Sequence, residues 1–222
     1  MPPFHWHRWV PSSVSLLGLT AVLLLCFEPL RPLLAWATLF QLLMDDVDGW
    51  LARRLNVASA MGRCMDDICD VVAHAGVVLL IASELGTPVL IAAMINVLGM
   101  VTRTARRLSA TDRLGWGQTT NDSVVVSLLA WLAHTSGSPI NETMLAVILA
   151  SHMVAMVMPF RVATPRALLS RPIPILGYNA LLLAICILPS TSFAAFVLLA
   201  TWIALALPIG GLKWSAQRRH PA

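Results

Sequence analysis

The chain has 222 residues, 58% of them hydrophobic and only 12% charged, with a mean hydropathy of +0.77. Soluble globular chains carry about twice that share of charge, so an ordinary water-soluble domain is excluded. The net charge of +4 does not point to nucleic acid either, because the arginines lie between apolar runs and form no basic domain.

In chain order, residues 1–12 read as an amphipathic interfacial segment leading into a retained first span, with no small-residue cleavage site of a signal peptide. Apolar runs follow at 14–27, 33–54, 62–85, 89–102, 121–134, 144–160, 174–188 and 193–212. Pro29 and Pro32, then Asn56 to Met61, Gly86-Thr87-Pro88 and Ser136-Gly137-Ser138-Pro139, punctuate them as turns, and a polar loop runs through Gly115, Gly117 and Gln118. The expected fold class is an all-α polytopic membrane helix bundle of about eight spans. No internal repeat is visible and the loops are too short for a second core, so residues 1–222 are expected to form one membrane domain with a cytoplasmic tail at 213–222. The four cysteines form no CxxC pair and are expected to be small buried side chains.

Orientation follows from the basic residues. With the N-terminus in the cytoplasm, that side receives Arg8, Arg53, Arg54, Arg63, Arg103, Arg106, Arg107, Arg113, Arg161, Arg166, Arg171, Lys213, Arg218 and Arg219. The other side receives only Arg31. This bias is a strong positive-inside signal.

The chemistry concentrates in residues 45–70, DDVDGWLARRLNVASAMGRCMDDICD, which hold six of the eleven acidic residues: Asp45, Asp46, Asp48, Asp66, Asp67 and Asp70. Acids in membrane segments are costly and mark sites by default. Asp45 and Asp48 are i, i+3, and Asp66 and Asp70 are i, i+4, so each pair shares one helix face. Two antiparallel helices would set Asp45 level with Asp70, roughly 12–14 Å from the helix ends at about 1.5 Å per residue, and Asp48 level with Asp66 one turn nearer the water. Such a carboxylate cage suits a hard divalent cation, Mg²⁺ or Mn²⁺, and two ions of that kind can bridge carboxylates to phosphates. Gly49, Ala52 and Gly62 leave room for a flat base against the helix backbones. Arg53 offers a planar fork to phosphate or carboxylate. Asp46 and Asp67 lie about 100° around their helices and are expected to support the others.

Residues 45–70 fit D-x2-D-G-x2-A-R-x8-G-x3-D-x3-D at Asp45, Asp48, Gly49, Ala52, Arg53, Gly62, Asp66 and Asp70. On this motif and the multi-span layout the chain resembles the CDP-alcohol phosphotransferase family of membrane enzymes. The resemblance implies metal ligation by Asp45, Asp48 and Asp66, with Asp70 a further ligand or the general base. It also implies a CDP pocket from Gly49, Ala52, Arg53 and Gly62, and two Mg²⁺ or Mn²⁺ ions. The reaction it implies is attack by an alcohol hydroxyl on the lipid-bearing phosphorus of CDP-diacylglycerol or a similar CDP-lipid, releasing CMP. It further implies a homodimer; the expected location is a bacterial or archaeal cell membrane, where the arginine bias places the site toward the cytoplasm. Outside the motif, VPSSVSLLGL, TRTARR and SHMVAMVMPFR look like the phosphatidylserine synthase branch, whose acceptor is serine. The loop GWGQTTND and His74 depart from that branch, leaving glycerol phosphate, inositol phosphate or another small alcohol as alternative acceptors.

Two features stay open on sequence. His74, four residues beyond Asp70, either lines the acceptor pocket, bonds to Asp70, or is satisfied by a neighbouring helix. Arg103, Arg106 and Arg107 either hold an anionic acceptor or simply end a span on the basic side. Alternatives of other classes are a prenyl transferase, which does not need Gly49, Ala52 and Gly62 at these spacings, and a cation transporter. Against a transporter, the acids cluster at one depth and do not extend across the membrane.

Overall fold

A computed structural model of the chain describes residues 9–57, 59–109, 119–158 and 172–219. The polar loop through Gly115, Gly117 and Gln118, with Arg8, Arg113, Arg161, Arg166 and Arg171, lies outside these residues. Among the described residues there are eight α-helices and no strand. They are α1 (Val10–Leu24), α2 (Leu34–Arg54), α3 (Ala60–Leu85), α4 (Thr87–Leu108), α5 (Thr120–Thr135), α6 (Glu142–Val157), α7 (Pro172–Ile187) and α8 (Ser192–Arg219). The fold class is that of an all-α membrane helix bundle. Helices α3 and α4 and the stretch Pro189–Gly211 are each long and apolar enough to cross a bilayer.

The helices depart from the apolar runs at their ends. Helix α1 begins at Val10, with Pro11 in its first turn, so it absorbs the end of the expected interfacial segment. Helix α4 continues through Arg103, Arg106 and Arg107, and α8 runs on to Arg219. Hydropathy marks where a helix leaves the apolar phase, whereas backbone hydrogen bonding continues past that point. The cysteines also differ from expectation. All four are free and only Cys69 is buried, while Cys26 is exposed. For a lipid-facing helix the outer surface is itself apolar, so a thiol there needs no interior position.

Contacts divide the chain into two compact units, Met1–Val77 and Val78–Ala222. In the first, α1 packs on α2 through Ser15, Gly18 and Val22, which form one buried stripe. Gly18 is needed for this approach: a Cβ there would lie 3.1 Å from Met44 Cβ and 3.5 Å from Gln41 Cα. Helix α2 ends in a Schellman turn. The Asn56 N–H donates to the Arg53 carbonyl at 3.3 Å and the Val57 N–H to the Ala52 carbonyl at 3.1 Å, with Asn56 at φ +53°. Asparagine is among the few residues that accept this left-handed conformation cheaply. Ser59 then caps α3, its hydroxyl oxygen accepting from the Gly62 N–H at 3.0 Å. A stop and a restart so close together fold α3 back along α2.

The second unit is arranged around α5, which is buried continuously from Thr120 to Ala130. Helices α4 and α6 pack closely, since a Cβ on Gly99 would lie 2.9 Å from Met153 Cγ and 3.0 Å from Met153 Cα. Asn96 Nδ2 donates to the Leu149 carbonyl at 2.8 Å, and Arg106 Nη1 to the Val157 carbonyl at 2.8 Å. The opposite face of α4 exposes Ile91, Met94, Ile95, Leu98 and Val101, an apolar strip suited to lipid.

Candidate active site

The facing sides of α2 and α3 carry the site. Asp45, Asp48, Gly49 and Ala52 fall on one face of α2, and Gly62, Asp66 and Asp70 on one face of α3. One carboxylate oxygen from each of Asp45, Asp48 and Asp66 lies within 4.8 Å of the other two. Asp48 stands within hydrogen-bonding reach of Asp66, and Asp45 of Asp70. These are the level pairs that an antiparallel hairpin dictates. Asp48 is 3% exposed and the other three are half-buried. Asp70 does not belong to the three-way set; its neighbour is Asp45.

Carboxylates this close repel unless a proton or a cation lies among them. Oxygen-only donors are what Mg²⁺ and Mn²⁺ prefer, and oxygens sharing one Mg²⁺ are at most about 4.2 Å apart. The triad closes onto an ion with small side-chain movements, so the residues present fit the metal. Asp46 and Asp67 stand outside the triad, and both have partners of their own in the structure.

Next to the acids, the Arg53 guanidinium lies over Gly49: a Cβ there would be 3.4 Å from Arg53 Nη1. Arg53 is exposed and Gly49, Ala52 and Gly62 are half-buried, an arrangement open to a ligand along the helix backbones. The absence of side-chain bulk at Gly49 therefore coincides with an accessible cation.

Three groups escape a reading of the motif alone. Ser15, from α1, donates to Asp48 Oδ2 at 2.5 Å. Gln41 lies one turn before Asp45, and its Nε2 donates to His74 Nε2 at 3.1 Å, with both side chains buried. His74 thus has a hydrogen-bond partner on the neighbouring helix. The third group lies in the second unit, where α5 buries Thr120, Asn121, Asp122, Ser123 and Ser127. Ser123 is hydrogen-bonded there to Nδ1 of the buried His152, and Thr119 Oγ1 donates to Asp122 Oδ2 at 3.1 Å. The one signal for Gln41 is its helical spacing, four residues before Asp45, which does not by itself name its partner on another helix. Nothing in the sequence paired Ser15 with Asp48, because the two are 33 residues apart.

Of the basic cluster, Arg106 donates one hydrogen bond to the C-terminal carbonyl of α6, a group left without a partner inside its own helix. Arg103 is half-buried and Arg107 exposed.

The comparisons with known proteins bear on the same residues. No individually curated protein is significantly similar to the chain. The family model for CDP-alcohol phosphatidyltransferase matches residues 8–210, which takes in every site residue named above. With a match of that extent over a helical membrane fold, the chain belongs to the CDP-alcohol phosphatidyltransferase family, integral membrane transferases that move a phosphatidyl group from a CDP-alcohol to an acceptor.

Proposed function

We propose that this protein makes a phospholipid by moving the phosphatidyl group of CDP-diacylglycerol, or a similar CDP-lipid, to a small alcohol, with serine the favoured acceptor and CMP the leaving product. The carboxylate triad of Asp45, Asp48 and Asp66 carries the reading, because acids gathered at one place in a membrane helix pair mark a site and oxygen donors this close suit a divalent cation. These three residues would hold Mg²⁺ or Mn²⁺, as a pair of ions. Bound there, the metal would neutralise the diphosphate and stabilise the departing phosphate. Arg53 binds phosphate of the nucleotide, while Gly49, Ala52 and Gly62 let the base lie against the helices. Asp70, outside the triad, accepts the proton of the acceptor hydroxyl. The hydroxyl oxygen bonds to the lipid-bearing phosphorus as the bond to the CMP oxygen breaks, so the negative charge leaves with CMP. Serine is favoured by the VPSSVSLLGL, TRTARR and SHMVAMVMPFR segments.

The basic-residue bias supports a site open to the cytoplasm of a bacterial or archaeal cell, where CDP-lipid headgroups and small alcohols meet. The whole of 1–222 acts as one catalytic domain, as a homodimer. The test is purified protein in lipid with CDP-diacylglycerol, Mn²⁺ or Mg²⁺, and serine, glycerol phosphate, inositol phosphate and other alcohols in turn. CMP release with serine supports the full reading. Release with another acceptor corrects the acceptor, and no release with any acceptor, or undiminished release after chelation, overturns the reaction or its metal.

A further inference from the structure

We infer that Ser15 is a positioning residue for the carboxylate triad, so that α1 is a working part of the site as well as a membrane anchor. This rests on the proposed metal role of Asp48. Ser15 and Asp48 are both almost wholly buried, at 7% and 3% exposed, and the hydroxyl donates to Asp48 Oδ2 at 2.5 Å. Among the described residues, the other acceptor within reach of Ser15 is the Pro11 carbonyl, at 3.3 Å. A hydroxyl has one proton, and a carboxylate at short range outcompetes a neutral carbonyl at long range. The bond therefore goes to Asp48.

One oxygen of Asp48 is thereby held from α1, which fixes the orientation of a carboxyl that lies beside Asp45 and Asp66. Without the hydroxyl, Asp48 can rotate about its side-chain bonds, and the triad has to be assembled at the moment of ion binding. The approach of α1 that makes the bond possible comes from the next turn, where Gly18 lies against Met44 and Gln41. Val22 continues the contact on to Gly76 of α3, 3.3 Å from where its Cβ would be. Helix α1 is thus registered against both acid-bearing helices, with its one buried hydroxyl opposite the most buried acid of the triad. Groups that orient a metal ligand are commonly worth 10–100-fold in affinity or activity.

The experiment titrates Mn²⁺ into full-length protein in nanodiscs and follows free Mn²⁺ by electron paramagnetic resonance, without nucleotide, alongside CMP-release kinetics. Ser15→Ala is expected to weaken Mn²⁺ binding by about 10-fold or more. It should lower kcat with the KM for the CDP-lipid little changed, since the hydroxyl faces an acid and not the substrate. Ser15→Thr, which keeps the hydroxyl, is expected to recover most of the loss. Ser13→Ala removes an exposed hydroxyl bonded to the Trp9 carbonyl, and should behave like the unaltered protein. Unaltered Mn²⁺ affinity and kcat in Ser15→Ala would overturn the positioning role while leaving the metal reading intact. Absence of Mn²⁺ binding in the unaltered protein would overturn both.

Discussion

Asp48 is 3% exposed, yet it lies beside two other carboxylates. Burying an acid in a membrane helix costs roughly 2.5–3.5 kcal/mol at the centre of the bilayer, and placing several together adds repulsion. Such an arrangement persists when a counter-charge accompanies function. Asp48→Asn or Asp66→Asn keeps the size of the side chain and removes its charge, so we expect turnover to fall below detection with little loss of folding. CMP release and thermal melting of the same preparation check both halves. A variant with normal turnover would remove that acid from the metal set. At this scale the motif made the four aspartates legible, because residue type and i, i+3 or i, i+4 spacing are local facts. Ser15 and Gln41 were not legible in the same way, since each acts on a residue of another helix.

The α2–α3 hairpin shows how an element imposes geometry on its residues. The Schellman turn with Asn56 at φ +53°, followed at once by the Ser59 cap, brings Asp48 level with Asp66 and Asp45 level with Asp70. A β-branched residue at position 56 pays for the left-handed backbone. Asn56→Val is therefore expected to destabilise the protein by about 1–2 kcal/mol, and Asn56→Gly to leave it as stable or more so. Thermal melting in one detergent distinguishes them, and equal melting of the two would remove the strain account. The α4–α6 contact offers a second test. A methyl at Gly99 meets Met153 at 2.9–3.0 Å, including its backbone Cα, so Gly99→Ala is expected to cost about 1–3 kcal/mol by overpacking. A neutral Gly99→Ala would mean that the two helices part easily. The turn at Asn56 to Met61 was readable from composition. That Gly99 meets Met153 was not, because a glycine in an apolar run carries no sign of which neighbour it accommodates.

For the whole molecule, the apolar composition and the distribution of arginine are the governing facts. If the basic side is cytoplasmic, the α2–α3 and α4–α5 connections face inward and the α5–α6 turn faces outward. In a chain whose exposed Cys26 is replaced, Ser136→Cys is expected to react with a membrane-impermeant maleimide added to intact cells, whereas Ser109→Cys reacts only after permeabilisation; both serines are exposed. The reverse pattern would invert the topology and close the site to cytoplasmic substrates. Composition alone determined that the chain is a helical membrane protein, since a bilayer leaves backbone polar groups few alternatives to helix. Spacing within residues 45–70 determined which acids share a face, since helix period is a property of the backbone and not of its surroundings. Only the tertiary structure decided that α1 reaches Asp48 through Ser15, that His74 bonds to Gln41, and that Arg106 bonds to the end of α6. Each of these is a contact between residues distant in sequence, set by how closely two helices approach and at what register. No period or propensity in a single chain encodes that distance.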